Sequence, residues 1–287
     1  MSPTTPHPPS LEVRIREIYD ALTDNETRLA DVILAAPGEV ATHTAAELSA
    51  LAGISPATTT RFFRRLGYTS HEMARRQARD AQRAGSPLYL HRLQPKATEM
   101  DKLVQAHLEN EAANLANSYR ALDLKALPVI ARKMAGARRL AFLGYRHSQP
   151  IAASMYRNLI EVRGDLHLLP APGDTLAEWL GHYGPQDMVV CIGLRRRVPQ
   201  LASAMEALAG MGVPMLYISD VMVGKPGKFA KWIIRCHTQG LMMFDSNAAV
   251  SAITNLLYSM VAKEIADSRS SHLEKVELMH EVLGELE

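Results

Sequence analysis

Arginines carry most of the chemistry that can be read in this chain, and they fall into two groups. The first lies in TAAELSALAGISPATTTRFFRRLG, residues 44–67. A helix opened by Ser55 and Pro56 puts Phe62 and Leu66 on one face. Its other face then carries Thr58, Thr60, Arg61, Arg64 and Arg65. Short polar groups near a helix N-terminus suit base edges in the major groove, and guanidinium groups suit guanines or phosphates. Ser55, Thr58, Thr60, Arg61, Arg64 and Arg65 are therefore the expected DNA-contacting residues. The plainer reading is a solvated arginine face on a helical pair that never meets DNA. Local charge weighs against it: residues 57–83 hold seven arginines against Glu72 and Asp80, in a chain whose net charge is only +2. A basic patch on a near-neutral protein is what phosphate attraction requires.

The second group flanks two apolar, strand-like runs. Gly144-Tyr145-Arg146-His147-Ser148 follows Leu140–Leu143, and Gly193-Leu194-Arg195-Arg196-Arg197 follows Met188–Ile192. Open α/β sheets bind ligands just beyond the carboxyl ends of their strands. Ser148 and Pro150 open a helix whose free N–H groups favour an anion. Guanidinium forks hold phosphate or carboxylate bidentately. Arg146, Ser148, Arg195, Arg196 and Arg197 are thus the expected anion contacts, although three consecutive arginines cannot all face one pocket. Ser219-Asp220, after a further apolar run, is a weaker candidate. The eleven histidines form no HExxH and no close His/Cys set, so neither a metal nor a cofactor is expected. P-loop, GxGxxG and GxSxG patterns are absent as well. His147 is the one group placed to act as a general base in a rival reading, a sugar phosphate isomerase with an appended helical domain.

The elements that must position these groups are legible in outline. Thr44 and Glu47 form a capping box, and Gly53 supplies the turn between the two short helices. Leu48, Leu51 and Ala52 are the expected apolar stripe of the first. Helices over 11–22, from Thr23 with Glu26 to about Ala36, and from about Ser70 to Ala84 complete an all-α domain over 11–85, after a Pro-rich tail over 1–10. Residues 98–136 read as helical, with Leu103, His107, Leu108, Ala112, Leu115 and Tyr119 recurring at three- and four-residue steps. This linker helix either pairs with its twin in a dimer or packs only on its own C-terminal domain. From residue 138 apolar strands alternate with helices, at Leu140–Leu143, Leu166–Leu169, Met188–Ile192, Pro214–Ile218 and Trp232–Ile234. That alternation predicts a doubly wound, five-stranded parallel sheet over 128–268, after a linker over 86–127. A last helix, about Ser271 to Glu287, starts at a Ser271–Glu274 capping box. The predicted fold class is therefore α/β: a helix–turn–helix domain, then the parallel-sheet domain.

Of the 287 residues, 47% are hydrophobic, enough for two cores. No apolar run reaches the ~18 residues needed to span a bilayer, and the N-terminus lacks the pattern of a secretory signal. Cys191 and Cys236 sit in apolar runs and read as reduced core residues of a cytoplasmic protein.

The run LTDNETRLADVILAAPGEVATHTAAELSALAGISPATTTRFFRRLGY resembles the N-terminal domain of the RpiR-type bacterial transcriptional regulators, in helix order, in the AGIS turn and in the spacing of Thr58, Arg61 and Leu66-Gly67. The segment from about Leu127 to Asp267 resembles their sugar isomerase (SIS) domain, in strand order and in the Gly144-to-Ser148 loop. The resemblance implies a winged-helix-like or helix–turn–helix domain and a non-catalytic sensor domain. It also implies operator DNA and a phosphorylated sugar as partners, and a dimer or tetramer. One departure stands out. The family's Ser-x-Ser-Gly-x-Thr loop is here Cys191-Ile192-Gly193-Leu194-Arg195-Arg196, so a carboxylic acid is as good an expectation as a sugar phosphate.

Overall fold

The computed structural model describes residues 9–83, 100–241, 244–267 and 272–285. The tail up to residue 8, the linker over 84–99 and Ser271 of the third expected capping box lie outside these. The chain divides into two units, Met1–Val104 with Leu241–Phe244, and Gln105–Gly240 with Asp245–Glu287.

The first unit is helical: α1 (Leu11–Ile18), α2 (Asp24–Ala35), α3 (Ala45–Ala52), α4 (Pro56–Arg65) and α5 (His71–Arg83), with 3-10 turns at Tyr19–Ala21 and Pro37–Ala41. Among its described residues no strand occurs. Its starts follow local chemistry. The Thr23 N–H donates to Glu26 at 3.0 Å and the Thr44 N–H to Glu47 at 2.6 Å, satisfying donors that a helix leaves unpaired. Gly53 takes a left-handed φ of 64° between α3 and α4, where a side chain would be strained. Leu11, Ile15, Leu29, Ile33, Leu48, Phe62 and Phe63 form the core.

One expectation fails on α3. Leu51 is 52% exposed, while Ser49 is buried. The reason is tertiary: Ser49 Oγ meets the buried Thr59 hydroxyl of α4 at 2.7 Å and donates to Ala45 O at 2.6 Å. A polar pair with both partners satisfied lets the two helices approach closely where a leucine would hold them apart.

The second unit contains most of α6 (Met100–Arg120), then α7 (Ala126–Gly136), β1 (Leu140–Gly144), α8 (Gln149–Ile160), β2 (Leu166–Leu169), α9 (Leu176–Leu180), β3 (Met188–Gly193), α10 (Pro199–Gly210), β4 (Met215–Asp220), β5 (Trp232–Cys236), α11 (Ala248–Asp267) and α12 (His272–Leu283). The five strands form one parallel sheet in the order β2-β1-β3-β4-β5. Alternate residues face opposite sides. Phe142, Val190, Leu216 and Ile234 pack with α7, α8 and α11. Leu143, Val189, Cys191 and Tyr217 pack with α9 and α10. β1, β3 and β4 are buried throughout, as a sheet covered on both faces requires. Burial pushes both thiols up, Cys236 to about 12, so both are inert core groups.

The stretch expected to be helical over 98–136 holds two helices, α6 and α7. It breaks at Ala121–Lys125, where Asp123 Oδ1 accepts from the N–H groups of Lys125 and Ala126 at 3.0 and 3.2 Å. A short acidic side chain competing for the backbone starts a new helix rather than extending the old one.

Asp187, wholly buried at the start of β3, anchors the sheet's N-terminal edge. It takes both guanidinium donors of Arg138 at 2.8 and 2.9 Å, with the N–H groups of Gly184 and Arg139 at 2.8 and 3.1 Å. The Arg138 bond foremost, against the opposing effect of burial, holds its carboxyl below the usual range. We expect Asp187→Ala to destabilise the second unit by about 3 kcal/mol, measured by urea unfolding. Because the folded value is depressed, this contribution is complete above the unfolded value of about 3.9 and is lost as pH falls through the folded one. The wild-type and Asp187→Ala stabilities should therefore converge in acid.

Candidate functional site: a nucleic-acid interface and an anion cleft

On α4 the expected division of faces is present. Thr59, Phe62 and Phe63 are buried, whereas Ser55, Thr60, Arg61 and Arg64 are exposed. Thr58 is half-buried, and its hydroxyl meets Ser55 Oγ at 2.9 Å. Ser55 Oγ also accepts from the Thr58 N–H at 3.2 Å, fixing the helix start. Thr60 Oγ donates back to Pro56 O at 3.1 Å.

Arg65 departs from its expected role. Its Nη1 reaches Glu26 at 2.7 Å and its Nη2 reaches Ala21 O at 2.7 Å. Burial alone would raise the Glu26 carboxyl, but the Thr23 N–H and hydroxyl together with Arg65 hold it below the usual range. Arg65 thus ties α4 to the start of α2. Two more arginines of the basic run are similarly engaged. Arg75 and Arg79 donate to Ala41 O at 3.3 and 3.0 Å and approach Glu72 at 3.4 and 3.7 Å. Among the described residues, no carboxylate pairs with Arg61 or Arg64.

In the sheet domain, the strand order reverses between β1 and β3, and the two expected loops meet at that point. They line a shallow cleft with Tyr145, Arg146, His147, Ser148, Arg195, Arg196 and Arg197 on its walls. Ser148 Oγ accepts from the Leu194 N–H at 3.3 Å and joins the two loops. Both loops depend on glycine. A Cβ on Gly144 would lie 2.6 Å from Ser148 O, and one on Gly193 would lie 2.5 Å from Leu201 and 2.8 Å from the Tyr217 hydroxyl.

The arginines of the cleft do not share one fate. Arg197 lines the cleft too, but its guanidinium is taken up within the protein, donating to Gly193 O, the Tyr217 hydroxyl, Ser219 Oγ and Asp220 Oδ1 at 2.8, 2.7, 2.9 and 2.5 Å. It is a tie between the ends of β3 and β4, and Ser219-Asp220 is its counterpart rather than a ligand site. Arg195 forms a two-pronged pair with Asp245, Nε lying 2.9 Å from Oδ2 and Nη2 against Oδ1. Arg146 and Arg196 are exposed, and neither pairs with a carboxylate among the described residues. Both sit in left-handed backbone, at φ 53° and 63°. Non-glycine residues held there cost about 1–3 kcal/mol each, and such strain concentrates at functional sites. No local pattern marks Asp245, whose partner is 50 residues away.

Residues 10–73 match the model of the helix-turn-helix domain of the rpiR family. The helical domain is therefore similar to the DNA-binding domain of that family. An uncharacterized HTH-type transcriptional regulator of Thermotoga maritima is 21% identical over 251 residues, 86% of this chain and 87% of that one. The sugar isomerase domain of an RpiR transcription factor from Sphaerobacter thermophilus superposes with a TM-score of 0.56 at 21% identity, covering 63% of this chain and 98% of that chain. The Vibrio vulnificus NanR protein, solved with ManNAc-6P, has a TM-score of 0.53 at 16% identity over 96% of this chain and 98% of its own. At these identities the solved structures establish the fold. The chain therefore joins a helix–turn–helix domain similar to that of the rpiR family to a domain of the SIS fold. Among its described residues no helix is long and apolar enough to cross a membrane.

Proposed function

We propose that this regulator grips operator DNA with α4 and that a small anion in the β1–β3 cleft alters that grip. The exposed Arg61 and Arg64, on the same helix as the buried Phe62 and Phe63, carry the first half. Ser55, Thr58, Thr60 and Arg61 meet base edges, and Arg64 meets phosphate. A homodimer or homotetramer in the cytoplasm presents two such helices about 34–36 Å apart on a palindromic site.

The unpaired Arg146 and Arg196 beside Ser148 support the second half. NanR, whose fold this chain shares, was solved with a sugar phosphate. Here guanidinium groups stand where the family's loop has hydroxyls, so carboxylic acids belong in the same ligand class. The effector must bind one state of the protein better than the other, since equal affinity would shift nothing.

The test is fluorescence anisotropy of a labelled operator duplex, selected from genomic DNA by the protein itself. Hexose phosphates and di- and tricarboxylates are then titrated in at constant ionic strength. At least one should change the DNA affinity about fivefold or more, the usual scale of allosteric coupling. No selectable duplex, or no response to any anion, counts against the respective half.

A further inference from the structure

The two-pronged pair of Arg195 with Asp245 has the form in which a guanidinium takes a ligand carboxylate. Arg195 comes from the loop after β3 and lines the cleft, and Asp245 stands just before α11. Both side chains keep access to water, at 22% and 28% exposure. An ion pair open to water is weakly held, so this one can exchange. An anion in the cleft offers Arg195 the same kind of oxygens that Asp245 does. Arg197, with four internal acceptors, has no such freedom.

Asp245 is also the neighbour of a residue that holds α6. Ser246 Oγ donates to a Glu111 carboxylate oxygen, and the Ser246 N–H donates to Thr238 O at 3.0 Å. Beside them, Asn110 and Asn114 each donate to Gln239 O at 2.8 Å, and the His237 N–H donates to Ser118 Oγ at 2.7 Å. The buried residues of α6 are Asn114 and Ser118. Hydrogen bonds rather than apolar burial therefore fix this helix here, and water replaces such bonds at small net cost.

We infer that Asp245 is a resident carboxylate that an anionic effector must displace from Arg195, and that its release loosens Ser246 from Glu111 and so passes the occupancy of the cleft to α6. This rests on the reading of the cleft as an effector site. The chain passes from the first unit to the second along α6, which gives the step its use. A ligand shifts an equilibrium only by its unequal affinity for two states. Here the states differ in whether Arg195 is available. Arg146 and Arg196, which pair with no carboxylate among the described residues, hold the anion in both. A cleft whose third arginine is free in only a fraction of molecules has its apparent affinity lowered by that fraction.

The test uses the full chain, with citrate and inorganic phosphate titrated by calorimetry at constant ionic strength. Asp245→Asn keeps the side-chain shape and removes the charge. It should bind at least one probe about fivefold or more tightly than the wild type does. In an Arg195→Ala background the same substitution should give no gain. An equal gain in both backgrounds reports only the general loss of a negative charge and overturns the competition. Binding that is unchanged by Asp245→Asn also overturns it, while leaving the cleft as an effector site. Neither probe binding either protein removes the cleft reading and the competition together. The link to α6 is measured without ligand, by hydrogen–deuterium exchange of peptides containing His237 and Ser246. Their amides should exchange about tenfold or more faster in Asp245→Asn, and unchanged exchange overturns the link whatever the cleft binds.

Discussion

Arg61→Ala should weaken binding of the operator duplex by about 1–3 kcal/mol, roughly ten- to a hundredfold, and relax specificity at the base pair it reads. Arg64→Ala should weaken binding more evenly across sequences and lower the slope of log affinity against log salt by about one, because one phosphate contact is lost. Arg65→Ala should behave differently. Its guanidinium already holds Glu26 and Ala21 O, so the salt slope should stay unchanged while the helical unit loses about 1 kcal/mol of stability. Anisotropy titrations at several salt concentrations, with thermal unfolding of each variant, separate the three. If Arg65→Ala lowered the slope while Arg61→Ala and Arg64→Ala bound DNA like the wild type, the assignment of α4 as the reading helix would be wrong.

A parallel contrast is expected at the cleft. Arg146→Ala and Arg196→Ala should each reduce the thermal stabilisation given by the responsive anion, with an affinity loss of about tenfold or more, since hydrogen bonds to charged groups are worth about 1.5–3 kcal/mol. Their stability without ligand should be close to that of the wild type, because alanine keeps the Cβ that strains a left-handed backbone and neither arginine pairs with a carboxylate among the described residues. Arg197→Ala should do the reverse. It strands Asp220, whose Oδ2 is already buried without a partner, and should cost about 3 kcal/mol in the absence of any ligand. Anion-induced shifts that survive both Arg146→Ala and Arg196→Ala would remove the cleft from the mechanism.

Both experiments turn on which arginines are already held within the protein, and here the two levels of description part. Residue order determined what is local. The Thr23, Thr44 and Ser55 starts, the Gly53 turn, the five apolar runs and the loops after β1 and β3 depend on neighbours within a few residues, so composition and spacing suffice. The helix–turn–helix and the doubly wound sheet were legible for that reason, as was the burial of Phe62 and Leu66.

What a side chain meets across the fold was not legible. Arg65 finds Glu26, Arg197 finds Asp220 and Arg195 finds Asp245, at separations of 39, 23 and 50 residues. Leu51 yields its place to Ser49, and α6 docks through Asn110, Asn114 and Ser118. Periodicity reports where apolar residues recur, but the surface a helix docks against decides which face is buried. Likewise an arginine run announces charge, and only tertiary packing decides how much is neutralised by distant carboxylates and carbonyls and how much stays available to a phosphate or a carboxylate.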